Sequence, residues 1–416
     1  MQGLRNRFVI VKWWWAMDTV AEGEGGNVLS LVEDLALRTS SVLETLRNNA
    51  QAVRAGDRRE PTFQIGQAAE LIGRSAAAIR EAEKDGRLPE PRRGENNRRV
   101  GYTLEQLNVM RGIFGTRPWR AQTDAPAVIA VQNFKGGVGK STVAVHLAQY
   151  LAIQGYRVLL IDCDSQASAT TLFGYVPDMD LGEDDTLYPF LRNDEMGSLA
   201  YALRPTHFDG LSLIPANLRL FQSEYELAAR MAQGDPGLID RLTQGINSVS
   251  DAFDVVIMDP PPALGAISLS VLHAANALIV PVPPTVMDFS STAAFLAMLQ
   301  ETLVELERAG HAPNLQLLKF VSSRVDENKS MQRELLGLMK SIFGHHLARS
   351  SLKNSAEIDN ATARLMTVYE LDAPITSRSV RDRCLTYLNA VNQELELDIR
   401  AMWPSHRESL RRAGVL

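Results

Sequence analysis

Eight consecutive residues, Lys135-Gly136-Gly137-Val138-Gly139-Lys140-Ser141-Thr142, have the composition of an anion cradle. They follow the apolar run Ala127–Gln132 and open a helical stretch, Val143–Gln154, which Gly155 closes. Glycines let successive backbone N–H groups turn inward, and the helix start adds its positive dipole end, so a polyphosphate is held without bulky side chains in the way. In such a loop Lys140 meets the β and γ phosphates, Ser141 offers a hydroxyl to Mg²⁺, and Thr142 bonds the α phosphate. Lys135 sets this loop apart from the ordinary pattern. A cation at the loop's first turn points away from its own phosphates, which suits a nucleotide held by a facing subunit and predicts a homodimer sandwich.

Two further acidic segments fit the same chemistry. Val255 to Asp259 is an apolar strand ending in a carboxylate, so Asp259 is placed to hold Mg²⁺ through water, and Pro260, Pro261 and Pro262 stiffen the loop beyond it. Ile161-Asp162-Cys163-Asp164-Ser165-Gln166 follows another apolar run. Taken alone, each of these acids is as readily a helix cap or turn residue. With no evident strong base, and only Lys135 and Lys140 as cations for a transition state, hydrolysis is expected to be slow without a partner.

The KGGVGKST loop resembles that of the deviant Walker A ATPases, the ParA/MinD family, whose signature lysine crosses the dimer interface. The resemblance implies ATP and Mg²⁺ as ligands. It also matches Asp162–Gln166 to the family's DxDxQ segment, in which Asp164 would orient the attacking water and Asp162 would lie in the outer shell of the metal. Ser165 stands where the family often has proline. The stretches "PPALGAISLSVLHAANALIVPVPPTVMDFSST" and "VDENKSMQ" are similar to large plasmid partition ATPases of ParA or RepA type, over about residues 27–400. That type implies ATP-driven dimerisation, nonspecific binding to nucleoid DNA, stimulation by a ParB-like centromere-binding partner and repression of its own operon.

The elements that must position this chemistry read as an α/β domain over 127–416. Apolar runs at 158–161, 255–258, 278–282 and 315–321 alternate with helical stretches, as in a parallel sheet covered by helices on both faces. Ahead of it lie a disordered leader (1–26), an amphipathic helix (27–54), a small domain (55–118) and a joint (119–126). Val28, Leu31, Leu35, Val42 and Leu46 recur at helical spacing in the long helix, a stripe for a dimer contact or for packing on its own chain. The small domain reads as a helix-turn-helix over Gln67–Ile72 and Ala76–Lys84, with Ser75 as helix cap. A wing comes next, in which Gly94, Asn96 and Asn97 separate Arg92 and Arg93 from Arg98 and Arg99. It resembles MerR-like winged-helix DNA-binding domains around "AIREAEKDGRLPEP", which makes Arg74, Ser75 and Arg80 candidates for base edges and the four wing arginines candidates for phosphates.

Charge supports that division. The 416 residues carry a net charge of −6, yet 51–120 holds 14 Lys and Arg against 9 acids, while 162–200 holds 9 acids against Arg192 alone. The acidic stretch 178–195 reads as a surface insertion. Candidate cations for nonspecific DNA binding are Lys319, Arg324, Lys329, Arg333, Lys340, Arg349, Lys353, Arg378, Arg381 and Arg383. Hydrophobic residues at 45% and charged residues at 22% exclude global disorder. Cys163 and Cys384 are too few for a disulfide framework or for the shared cluster of a nitrogenase reductase relative.

No run reaches the ~18 apolar residues of a membrane span, and the tail from Trp403 lacks a basic amphipathic helix of MinD type. The basic and apolar run Arg5–Trp15 lacks a cleavage pattern, so it reads as a leader with Met1 or Met17 as the start. The expected location is cytoplasmic and nucleoid-associated. Two rival readings are a nucleotide-responsive repressor with incidental ATPase activity and a P-loop metabolic enzyme.

Overall fold

The computed structural model describes residues 28–49, 58–89, 93, 99–235 and 237–415. The chain divides into two units, Met1–Ala52 and Val53–Leu416. In the first, helix α1 (Val28–Asn49) runs uninterrupted because its sequence holds no proline or glycine, and an i,i+4 pair between Asp34 and Arg38 at 2.7 Å supports its surface. Val28, Leu31, Leu35 and Val42 of the predicted stripe are all exposed. The Leu46 side chain and the predicted leader lie outside the described residues.

The second unit begins with a short antiparallel pair, β1 (Thr62–Phe63) with β2 (Tyr102–Thr103), around helices α2 (Ile65–Ile72) and α3 (Ala76–Lys84) and before α4 (Leu104–Phe114). Gly73, at φ 69°, takes the left-handed turn that ends α2, and the Ala78 N–H donates to Ser75 Oγ at 3.1 Å to cap α3. The two helices match the expected helix-turn-helix, with α2 starting two residues early. An antiparallel bridge joins Arg93 to Arg99 at the base of the expected wing. Arg92, Gly94, Asn96, Asn97 and Arg98 lie outside the described residues.

A seven-stranded sheet comes next, in the order β5-β6-β4-β7-β3-β8-β9. Its strands are β3 (Ala127–Val131), β4 (Val158–Asp162), β5 (Arg204–Pro205), β6 (Leu211–Ile214), β7 (Val255–Asp259), β8 (Ala277–Val282) and β9 (Leu317–Ser322). Only β5 runs antiparallel. Alternate residues of β3 feed two cores. Ile129 and Val131 pack with α5 (Lys140–Gln154) on one face, while Val128 and Ala130 pack with helix Ala266–Ala274 on the other. The four central strands are apolar up to the terminal Asp162 of β4 and Asp259 of β7 because both of their sides are covered. Pro281 is tolerated in β8 because pairing with β3 has already ended at Ile279.

The stretch 178–195 corrects the expectation of a surface insertion. Leu187, Tyr188, Phe190 and Leu191 are buried in the second core, and the Arg241 guanidinium lies 3.9 Å from the Phe190 ring centre. Acids at the margins of that segment masked an apolar centre.

Residues 119–126 are pinned rather than loose. Trp119 donates from Nε1 to the Gly155 carbonyl at 3.0 Å and lies between the guanidiniums of Arg117 and Arg157, at 4.3 and 4.5 Å. The small domain's core residues Ile72, Ile79, Leu104 and Leu107 join the same cluster as Ile129 and Leu147. Buried Arg111 stitches the two together, donating to the carbonyls of Ile153 at 2.6 Å and Leu71 at 3.3 Å, and burial pulls its pKa down to about 10. Arg111→Ala strands both carbonyls and opens a void, so urea unfolding of the full chain should show a loss of ~2–4 kcal/mol. A loss below ~0.5 kcal/mol, the scale of a surface change, would refute a stitched joint.

Candidate functional site

The Lys135–Thr142 loop crosses from the end of β3 into α5. Asn133 fixes its start, donating from Nδ2 to the Pro281 carbonyl at 3.0 Å and accepting from the Lys135 N–H at 3.1 Å. Gly137 and Gly139 take φ of 77° and 97°, where a side chain would be strained. Two of the loop's carbonyls are held by residues just beyond β9. Arg324 Nη1 donates to the Gly137 carbonyl and Ser323 Oγ to the Val138 carbonyl, both at 2.7 Å. With those oxygens engaged, the N–H groups are left for an anion.

A cleft of about 810 Å³ opens over the loop, lined by Gly136, Gly137, Gly139, Lys140, Ser141 and Thr142. Asp164 and Pro262 form one wall, and Arg324 with the segment Leu352–Ser355 forms another. Lys140 is buried, with its amine 3.4 Å from the Lys135 carbonyl. Burial lowers its pKa, and the charges of Asp259 and Asp164 work against that shift.

Parallel pairing sets Asp162 beside Asp259 at the ends of β4 and β7. Asp162 accepts from the Thr170 N–H at 2.8 Å, the Thr170 hydroxyl at 2.7 Å and the Asp164 N–H at 3.2 Å. Complete burial nevertheless pushes its pKa up to about 7. Burial raises Asp259 well above the usual carboxylate range, and nearby Asp162 adds to the effect. Neither Asp259 oxygen has a hydrogen bond of ordinary geometry; Ser141 and Lys140 offset its burial only in part. Two orphaned oxygens beside a serine hydroxyl and two further acids are a hard-oxygen donor set, which fits Mg²⁺.

Lys135 is absent from the cleft wall. Its amine pairs at 2.6 Å with Asp288, in the first turn of helix Val286–Arg308. Sequence reasoning missed Asp288, Asn133 and Ser323, and took Arg324 for a DNA contact. Asn133, Ser323 and Arg324 share a signal, a polar residue one or two positions beyond an apolar strand, that was present but unspecific; Asp288, six residues past β8, carries none.

The DNA candidates divide. Arg80 and Arg93 are exposed. The Ser75 hydroxyl is engaged as a cap. Arg74 donates to the Phe114 carbonyl at 3.2 Å, at the end of α4. Arg99 pairs with Glu83 at 2.7 Å and donates to the Tyr102 hydroxyl at 2.8 Å, tying the wing's base to α3. Among the cations of the second half, Lys319 pairs with Asp398, Lys353 with Glu327, and Arg381 bonds the Leu371 carbonyl. Lys340, Arg349 and Arg383 are exposed. No described helix is long and apolar enough to cross a membrane.

A family model described as an AAA domain matches residues 126–309. Protein SopA of Escherichia coli K12 is 36% identical over 353 residues, spanning 82% of this chain and 89% of SopA. The chromosome-partitioning ATPase Soj of Thermus thermophilus is 32% identical over 216 residues, spanning 52% of this chain and 76% of Soj. A solved structure described as a partition protein superposes with a TM-score of 0.63 at 23% identity, over 90% of this chain and 99% of its own, and shares the fold. With that similarity to SopA running through the phosphate loop and both acidic strand ends, the chain belongs to the ParA family of plasmid partition ATPases.

Proposed function

We propose that this chain is an ATP-driven DNA segregation switch. Two chains close over ATP, bind nucleoid DNA without sequence preference, and release it when a ParB-like centromere-binding protein stimulates hydrolysis. The observation that carries this reading is the divergence of two lysines in one loop: Lys140 faces the chain's own cleft, while Lys135 is held outside it by Asp288. A catalyst working alone needs only one lysine, here Lys140, on its own phosphates, which leaves Lys135 without a role. A shared site needs one to reach across.

Within the chain, the loop N–H groups and Lys140 bind the triphosphate, and Thr142 and Ser141 orient it. Asp164, half-buried at the cleft wall, orients the attacking water. Ser141, Asp259 and Asp162 would hold Mg²⁺, which supplies charge neutralisation at the phosphates when bound. One fold neighbour, McdA of Cyanothece, is described as an ATP complex, which agrees with ATP as ligand. The exposed stripe of α1 supports a second, ATP-independent dimer contact. Arg80, Arg93 and the wing tip suit an operator in a winged-helix mode, which makes the chain its own repressor. Lys340, Arg349 and Arg383 suit nonspecific DNA. The absence of a spanning helix among the described residues agrees with a cytoplasmic, nucleoid-associated protein.

The lysines test the scheme directly. Lys140→Ala should lose ATP binding by ~10²-fold or more and with it ATP-dependent DNA retention. Lys135→Ala should keep ATP affinity within several-fold while ATP no longer drives dimerisation in light scattering. Equal losses of affinity in both variants would place both lysines on one nucleotide and overturn the shared site.

Asp164→Asn removes the water-positioning carboxylate without touching the loop. ATP-dependent dimers and DNA retention should persist while hydrolysis stimulated by the ParB-like partner falls ~10²-fold or more. Operator binding that ignores nucleotide, with no stimulation of the native chain by DNA or partner, would favour the repressor reading instead.

A further inference from the structure

Away from the cleft, Asp240, His273 and His311 converge from three elements. Asp240 immediately precedes helix Arg241–Asn247, His273 lies in the last turn of helix Ala266–Ala274, and His311 comes just after helix Val286–Arg308. Asp240 Oδ1 is 2.7 Å from His273 Nε2 and 3.2 Å from His311 Nδ1. Their three candidate donor atoms all lie within 4.8 Å of one another. The proton inventory makes this more than proximity. His273 Nδ1 lies 2.9 Å from the His311 carbonyl, which can only accept, so Nδ1 carries the hydrogen. In the neutral imidazole Nε2 then presents a lone pair to a carboxylate oxygen, and two acceptors at 2.7 Å require a proton or a cation between them.

We propose that Asp240, His273 and His311 bind a borderline divalent transition ion, with zinc as the first choice. Two imidazoles and one carboxylate suit such ions better than Mg²⁺, which prefers all-oxygen shells. The bond from His273 to a backbone carbonyl is the outer contact that typically orients a ligating imidazole. The side chains of His273, His311 and Asp240 are 13%, 19% and 40% exposed, which leaves an open side for a water as the remaining ligand. Helix Val286–Arg308 carries Asp288 at one end and leads to His311 at the other. Its 23 residues span ~35 Å, so this site is distinct from the phosphate cleft. The ion staples the far ends of two helices whose near ends approach that cleft, since Pro262 lines it and Asp288 holds Lys135.

The test titrates Zn²⁺ into the chelator-stripped full chain with excess Mg²⁺ present, by calorimetry, and repeats the titration with Co²⁺ by visible absorption. One equivalent should bind in the micromolar range or tighter, and zinc should raise the Tm. His273→Gln and His311→Gln should each weaken binding ~10²-fold or more and abolish the Tm rise. His311→Gln keeps both the Asp240–His273 pair and the His311 backbone, so its unliganded Tm should stay near native, which separates loss of a ligand from loss of fold. No saturable zinc binding to the native chain, or one equivalent that survives His273→Gln and His311→Gln together, would overturn the proposal.

Discussion

A backbone cannot turn its N–H groups toward an anion without turning carbonyls elsewhere, and a buried carbonyl needs a donor. The phosphate cradle rests on that constraint. Its carbonyls at Gly137 and Val138 are met by Arg324 and Ser323, which come just after the edge strand β9 and lie 187 and 185 residues further along the chain. The cradle therefore depends on the register that joins β9 to β8 and β8 to β3. A slip in either pairing would withdraw the two donors and let the loop's peptides rotate. The rigidity of the small N-terminal domain on the same unit has a similar origin. The Arg111 guanidinium feeds the Ile153 carbonyl near the end of α5, the helix that the cradle opens.

Legibility in the sequence tracks the range over which each rule acts. The glycine loop, its helix, the four central strands and the Ser75 cap are fixed by residues within a few positions of one another, and the structure has them within one to three residues of the expected bounds. Composition misled where it averaged: the acids between 178 and 195 hid Leu187, Tyr188, Phe190 and Leu191, which face inward. Residue type gave the charge of Arg74, Arg99 and Arg324 but not their partners Phe114, Glu83 and Gly137, which lie 16 to 187 residues away. Asp288 and the Asp240–His273–His311 group were invisible for the same reason. Their separations of 33, 38 and 71 residues match no local motif, and only the packing of helices against the sheet brings them together.

The acids at the strand ends impose a cost that packing alone does not explain. Asp162 and Asp259 are fully buried neighbours in register; burial raises the pKa of both, and the charge of Asp162 adds to the rise at Asp259. An apolar pair at those positions would be more stable. Asp162 is partly compensated by Thr170, but Asp259 keeps two oxygens without ordinary hydrogen bonds. Among the described residues Asp259 alone leaves both oxygens of a buried carboxylate without an ordinary hydrogen-bond partner, the mark of a site organised for a ligand that brings positive charge.

Lys135 obeys the opposite logic. A second ammonium in the cleft would neutralise those acids and fill the place of a cation, yet the chain turns it away and pairs it with Asp288. The Lys135 and Asp288 side chains are 33% and 17% exposed, and pairs open to water contribute about 1 kcal/mol or less. That strength is enough to keep the lysine ordered and out of its own phosphate loop, and too small to hold it against a triphosphate offered from another chain. Under the proposed shared site, a pair this weak would let one side chain serve two states.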